Sequence, residues 1–510
     1  MNLGFPCLRN HSRRSRACRA RRLPQWISLS RPKACIRETC AISLSVIAMF
    51  ASQVWLVNAA GLQAAAQGDA SPTAQSVQAT NGQKVAETPP MGWNSWDGYG
   101  ATIDEAQFRA NAEWFAKHLK PYGWQYVTID AEWFITNPVP EGNAKTSQYV
   151  MDGYGRYLPA TNRFPSAANG AGFKPLADYV HSLGLRFGLH ILRGLPKRAV
   201  EKRLPIAGSS YYATEAADTS DTCPWNYDNY GLNSTQPAAQ AYYDSIAQLY
   251  ASWGVDLVKV DCISSRPYKG DEIQMLSLAL AKTGRATVLS LSPGPAPIDK
   301  VDEMRRYAEM WRISDDIWDV WHSPTDYPQG VGDQFLRAAQ WAALSGPGHW
   351  PDADMLPIGH LGPAPGWGHA RDTRLTHDEQ RTLITLWCIL RSPLMVGGDL
   401  TAGDEWTTSL LTNPEVLALD QHSTGNHQLI ATNKTSVWLA RTALGSGYYV
   451  ALFNLETAPA TYKYGWSELG LKEKEYKLRD LWEHKDLGSA DSVTVTVPPH
   501  GVALYSMSAG

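Results

Sequence analysis

From residue 88 onward, short apolar runs alternate with longer amphipathic stretches. Y-V-T-I-D at 126–130, R-F-G-L-H at 186–190, L-V-K-V-D at 257–261 and T-V-L-S-L at 287–291 have the length and composition of buried strands. Between and after them, apolar residues recur at helical spacing over 104–119, 173–183, 237–253, 271–283 and 333–344. Asp104 is placed to N-cap the run E-A-Q-F-R, and Pro237 stands near a helix start, where its missing N–H costs little. Strands that alternate regularly with helices predict parallel βα units. Their extent predicts an α/β fold, a (β/α)8 TIM barrel over residues 88–421. A doubly wound sheet is the alternative, but no G-x-G-x-x-G follows any of the runs. After residue 421 the texture changes to short β-rich runs at 428–432, 436–441, 448–454, 461–464, 493–497 and 502–506, separated by turn residues. These predict a C-terminal antiparallel β-sandwich over 422–510.

The amino-terminal pattern is of another kind. Arg13, Arg14, Arg16, Arg19, Arg21 and Arg22 precede an uncharged apolar stretch at 41–57, and small residues follow in V-N-A-A-G-L-Q-A-A-A-Q. This order predicts an export leader over 1–65, cleaved near residues 60–66. A retained membrane anchor is the rival, since 17 residues is the lower edge of a span. Residues 66–87, rich in Ala, Gln, Ser and Thr, read as a flexible lead-in. The leader also distorts the charge. The 510 residues carry 46 Lys and Arg against 49 Asp and Glu, but residues 1–40 hold ten of the bases and only Glu38. Without them the balance is 36 against 48, or −12, which argues against a general nucleic-acid binder. Once the leader is gone, no stable membrane association is expected. The 20 Trp and 23 Tyr against 10 Phe favour a carbohydrate ligand, because flat rings with a polar edge suit sugar faces. Three Cys remain after the leader, namely Cys223, Cys262 and Cys388. Export permits one disulfide, and spacing leaves all three pairings open. Cys388, inside T-L-W-C-I-L, reads as a buried free thiol.

Acidic residues follow the strand-like runs. Asp130 and Asp261 close theirs, Asp315 and Asp316 follow M-W-R-I-S, and Asp352 and Asp354 lie in G-P-G-H-W-P-D-A-D-M-L. In a barrel these positions lie at the end of the fold that carries catalysis. One such Asp alone is better read as a helix or turn cap. Several together, with Trp93, Trp96, Trp133, Trp311 and Trp350 nearby in sequence, point to glycoside hydrolysis. That reaction needs one ionised carboxylate and one carboxyl that donates a proton. H-W-P-D-A-D has no second His/Cys cluster to complete a metal site, so neither a metal nor an organic cofactor is expected. Asn233-Ser-Thr and Asn433-Lys-Thr fit the N-glycosylation pattern, which matters only in a eukaryotic host.

Four ordered motifs carry a resemblance. T-P-P-M-G-W-N-S-W at 88–96, K-V-D-C at 259–262, W-R-I-S-D-D-I at 311–317 and G-P-G-H-W-P-D-A-D-M-L at 346–356 resemble glycoside hydrolase family 27, which holds retaining α-galactosidases and α-N-acetylgalactosaminidases. The resemblance covers about residues 88–510 and implies roles residue by residue. Asp261 matches the nucleophile. Lys259, two residues earlier on the same strand face, would keep Asp261 ionised and hold a sugar hydroxyl. In the family pattern W-R-x-x-x-D, Arg312 binds the sugar 2-hydroxyl and Asp316, rather than Asp315, is the acid/base. Trp96 matches an aromatic wall, and Cys223 and Cys262 match a family disulfide that braces the nucleophile strand. Ser292, in S-L-S-P-G-P at 290–295, lies in the loop that selects the substituent at C2. Asp352 and Asp354 correspond to acidic residues near the pocket, and Asp352 is assigned to substrate binding. Asp130 matches the first Asp of a paired clamp on the outer hydroxyls. Here the chain departs from the pattern: I-D-A-E-W places Ala131 where the second Asp belongs, Glu132 follows, and His190 stands where many members have Tyr. The resemblance implies an exported, secreted or periplasmic exo-glycosidase that removes terminal α-galactosyl residues. The alternative within the family is a β-L-arabinopyranosidase, whose sugar lacks the C6 group. Outside it, the alternative is a non-catalytic sugar-binding barrel.

Overall fold

The computed structural model describes residues 85–139, 146–362, 369–443 and 445–509. The expected leader, and the lead-in before residue 85, lie outside them. Eight parallel strands form the first sheet: β1 (Met91–Asn94), β2 (Tyr126–Ile129), β3 (Arg186–Leu192), β4 (Leu257–Asp261), β5 (Val288–Leu291), β6 (Met310–Arg312), β7 (Trp350–Asp352) and β8 (Leu394–Val396). They neighbour one another in the order β7-β6-β5-β4-β3-β2-β1-β8. The parallel bridge Leu356↔Val396 joins the two edges and closes the TIM barrel. Most strand residues are buried on both faces, as a sheet covered by helices requires.

Helices fill the connections: α1 (Glu105–His118), α2 (Lys174–Ser182), α3 (Pro237–Trp253), α4 (Gly270–Lys282), α5 (Val301–Tyr307), α6 (Phe335–Trp341) and α7 (His377–Leu390). After β8 come α8 (Glu405–Leu411) and α9 (Pro414–His422). Local chemistry sets their ends. The Asp104 carboxylate accepts from Gln107 N at 2.9 Å while the Gln107 side chain accepts from Asp104 N at 3.0 Å, a complete capping box ahead of α1. Pro237 opens α3, and Gly254 closes it with φ +88°. The helix expected over 333–344 is α6 flanked by two 3-10 turns.

The C-terminal unit is antiparallel, with strands β9 (Thr424–Ala431), β10 (Thr435–Arg441), β11 (Gly447–Asn454), β12 (Ala460–Gly465), β13 (Tyr476–Asp480), β14 (Lys485–Ala490), β15 (Ser492–Val497) and β16 (Val502–Ala509). One sheet runs β9-β10-β11-β16-β13-β14, and β12 pairs with β15. Val437, Val450, Leu452, Trp466, Tyr505 and Met507 belong to its core. Strands β13 and β14 have no counterpart among the expected runs. For β14 the physical reason is exposure: it contributes no buried side chain, so no apolar alternation marks it. Helix α7 lies between barrel and sandwich, with Thr382 Oγ1 donating to His500 O at 2.6 Å and Trp482 Nε1 donating to Thr385 Oγ1 at 3.0 Å. Burial on nearly all sides explains its long apolar run, and Cys388 inside it is a buried free thiol. Among the described residues, no helix is long and apolar enough to cross a membrane.

Candidate active site

A pocket of about 540 Å³ opens at the C-terminal ends of the barrel strands. Trp96, Asp130, Glu132, His190, Lys259, Asp261, Ser292, Arg312 and Asp316 all line it, so the structure brings together nearly all the residues singled out in the sequence.

Asp261 ends β4. Its Oδ1 accepts from the N–H of Cys262 at 2.7 Å, and its Oδ2 accepts from Trp225 Nε1 at 3.3 Å. His190 Nε2 lies 3.9 Å from the same Oδ2. Burial lowers the proton affinity of His190, Lys259 adds to this, and the two flanking carboxylates only partly offset it.

Cys262 is bonded to Cys223, with Cα atoms 6.0 Å apart. The bridge fixes the residue after Asp261, and through Cys223 it fixes the loop that delivers Trp225. Closing a loop of this length stabilises by about 3–4 kcal/mol in the chain-entropy model. The double variant Cys223→Ser/Cys262→Ser is expected to lose that much in reversible denaturant unfolding. Unchanged unfolding would show that the bridge contributes nothing.

Lys259 is not paired with Asp261. Its Nζ donates to Asp130 Oδ2 at 2.9 Å, and Asn94 Nδ2 donates to the same oxygen at 2.7 Å. The N–H of Ala131 donates to Asp130 Oδ1 at 2.8 Å. Burial alone would raise the Asp130 carboxyl, but Lys259, His190 and these bonds outweigh it and hold it well below the ordinary carboxylate value. Burial likewise opposes the charge on Lys259, and Asp130 more than restores it. The result is a permanent buried ion pair in the pocket wall. Next to it the chain turns at Glu132, which has φ +64° and is buried. Glu132 lines the pocket together with Asp130.

Arg312 sits between two carboxyls. Its Nη1 meets Asp354 Oδ1 at 2.8 Å, and its Nη2 meets Asp316 Oδ1 at 3.1 Å. Of the neighbouring pair, Asp315 is 9% exposed and held by the Arg266 guanidinium, whereas Asp316 is 39% exposed. Both line the pocket, and Asp316 is the more accessible of the two. Burial would raise the Asp316 carboxyl, but Arg312, the Tyr327 hydroxyl and Lys259 keep it below its ordinary value. Asp354 moves the other way: burial raises it, Asp316 and Asp352 add to the rise, and Arg312 only partly compensates.

Asp352 requires a correction. It borders a separate, smaller cavity beneath the pocket, with its Oδ1 accepting from Asp354 N at 2.9 Å. The carboxyl that reaches the main pocket from this segment is Asp354, at a backbone φ of +95°.

Among the pocket residues that sequence reasoning missed are Asp97, Trp225 and Tyr327. Asp97 is 1% exposed, and burial and Asp354 push its carboxyl well up. Only its place beside Trp96 could have flagged it. Trp225 lies two residues after Cys223, so the bridge itself was its signal. Tyr327 sits in a polar loop with no signal at all. Among the described residues, no group of three or more His, Cys, Asp and Glu side chains is arranged to hold a metal ion. The pocket offers one carboxylate at a rigid strand end, a second with open access, and a charged clamp suited to hydroxyl groups. Such a set can displace a leaving group at an acetal carbon and supply it with a proton.

Residues 225–422 match the family model "Alpha galactosidase A", and residues 432–507 match "Alpha galactosidase C-terminal beta sandwich domain". The chain is 28% identical over 429 residues to an α-galactosidase of Oryza sativa subsp. japonica, covering 83% of this chain and 85% of that one. Among solved structures it resembles a GH27 β-L-arabinopyranosidase of Geobacillus stearothermophilus, with 47% identity, a TM-score of 0.79, and 83% and 97% of the two chains covered. It also resembles α-galactosidase I of Mortierella vinacea, with 25% identity, a TM-score of 0.63, and 83% and 97% covered.

Proposed function

The chain belongs to glycoside hydrolase family 27, and from that premise we propose that it is a retaining exo-glycosidase acting on terminal galacto-configured pyranosides, α-galactosides first among them. The observation that carries this reading is the meeting of Asp261 and Asp316 in one pocket, with the Lys259–Asp130 pair beside them. Asp261 attacks the anomeric carbon through Oδ2, since Oδ1 is tied to the backbone of Cys262. Asp316, held toward its ionised form by Arg312 and Tyr327, must first take up a proton, which it gives to the leaving oxygen as the glycosidic C–O bond breaks. Water then cleaves the glycosyl ester, with Asp316 taking its proton back. Retention is tested by following the first-formed anomer by proton NMR; an inverted product overturns the double displacement.

A specific observation favours a second glycone, β-L-arabinopyranose. The carboxylate expected at 131 is absent, and the wall next to Asp130 is made instead by Ala131 and the turned-in, longer Glu132. A C6 hydroxyl loses one partner there and meets a bulkier one. The relative at 47% identity is a β-L-arabinopyranosidase, which supports this reading. Losing one charge-assisted hydrogen bond costs about 1.5–3 kcal/mol. On this second reading nitrophenyl β-L-arabinopyranoside is expected to match or exceed nitrophenyl α-galactoside in kcat/KM, whereas the first reading expects the reverse. Ala131→Asp is expected to move the ratio toward galactoside by about 10-fold or more. A preference for galactoside by several orders of magnitude, unchanged by the substitution, places the galactose grip elsewhere.

The bridge and the family resemblance are compatible with work in an oxidising compartment, and we take the enzyme to be exported. Residues 88–421 are read as its catalytic unit and 422–510 as its sandwich. The substrate is its one proposed partner.

A further inference from the structure

Asp316 is gripped twice by one loop. The Ile317↔Gln329 bridge closes the loop at its base, where Gln329 N donates to Asp316 O at 2.9 Å and Trp318 N donates to Gln329 O at 3.0 Å. Two residues before Gln329, the Tyr327 hydroxyl donates to Asp316 Oδ2 at 2.8 Å. Arg312 already holds Oδ1 at 3.1 Å, so both oxygens of this carboxylate are engaged. Tyr327 is 45% exposed and lines the mouth of the pocket, so its hydroxyl is not placed there by packing in a core.

We propose that Tyr327 is a positioning residue for the acid/base: its hydroxyl holds the Asp316 carboxylate in place between turnovers and governs when that carboxylate takes up its proton. The proposal rests on the reading of Asp316 as the acid/base. A hydrogen bond donated to a carboxylate is stronger to the ionised form than to the protonated one, so it stabilises the ionised form. The other charged or titratable groups that face Asp316 are Arg312 on its own segment, Lys259 from β4, Arg266 from the loop after β4, Asp354 from the segment after β7 and Asp97 from the segment after β1. Arg312, Lys259 and Arg266 favour the ionised form, and Asp354 and Asp97 oppose it. Tyr327 is the neutral donor in this set, so its removal changes no charge.

The test compares pH profiles of kcat/KM for wild type, Tyr327→Phe and Asp316→Ala. The substrates are an alkyl glycoside, which needs protonation of its leaving oxygen, and a dinitrophenyl glycoside, which does not. The limb that Asp316→Ala abolishes marks the ionisation of Asp316. In Tyr327→Phe that limb is expected to move to higher pH by about one unit. At fixed alkaline pH the alkyl glycoside is expected to change several-fold, while the dinitrophenyl rate is unaltered. A purely structural role would move both substrates together and leave the limb in place, and that result overturns the proposal. If Asp316→Ala removes no limb, the acid/base reading itself falls, and the proposal with it. Equal melting temperatures of Tyr327→Phe and wild type are expected, since the ring is kept.

Discussion

Asp261→Ala is expected to lose turnover on every glycoside, by on the order of 10⁴-fold or more in kcat. The loss is insensitive to the leaving group, because without Asp261 no covalent intermediate forms from any substrate. The geometry makes substitution by a neighbour difficult. Asp130 is locked by Lys259, Asn94 and its own backbone, and Asp316 is held between Arg312 and Tyr327. A small anion can occupy the vacated space, so added azide is expected to restore part of the rate and yield a glycosyl azide of inverted configuration. The check is kcat with and without azide, with the product anomer read by NMR. A variant that keeps more than a few per cent of its activity on both alkyl and aryl glycosides would remove Asp261 from the nucleophile role.

Asp316→Ala is expected to behave differently. For alkyl or disaccharide leaving groups, loss of the proton donor costs about 10²–10⁴-fold. For a dinitrophenyl leaving group the first step survives nearly intact and the second becomes slow, so a burst of dinitrophenol should precede the steady state. The corresponding change at Asp315 should cost far less on either substrate, because Asp315 is spent on Arg266. A uniform loss across leaving groups at 316, or the graded pattern at 315 instead, would exchange the two assignments.

The barrel was legible because buried parallel strands and their covering helices leave a strong two-period pattern, and residues 257–261 show it in five letters. Other barrel strands left little trace. The strand at 350–352 is three residues long and contains Pro351, so neither length nor alternation marks it. In the sandwich, β14 is exposed along its length and therefore carries no apolar signature. The site followed the same logic. Asp261, Lys259 and Arg312 lie on strands, where side-chain direction follows from position. Asp354 and Glu132 reach the pocket from left-handed turns at non-glycine residues, which no residue type announces. Asp352 was misplaced for that reason. Tyr327 arrives from a loop whose folding depends on contacts made elsewhere in the chain.

The two carboxylates are anchored with unequal stiffness, and this has a thermal consequence. Asp261 ends a strand paired on both sides, and the residue after it is covalently tied to a second loop. Asp316 hangs from backbone and side-chain hydrogen bonds made by a loop that faces solvent. Segments of the second kind open at lower free energy than those of the first. On warming, proton donation therefore fails before nucleophilic attack does. A heat-stressed population of this enzyme would still release a burst of good leaving groups while its natural glycosides went uncut, so an assay that reads the burst from an activated aryl substrate would overstate its working temperature.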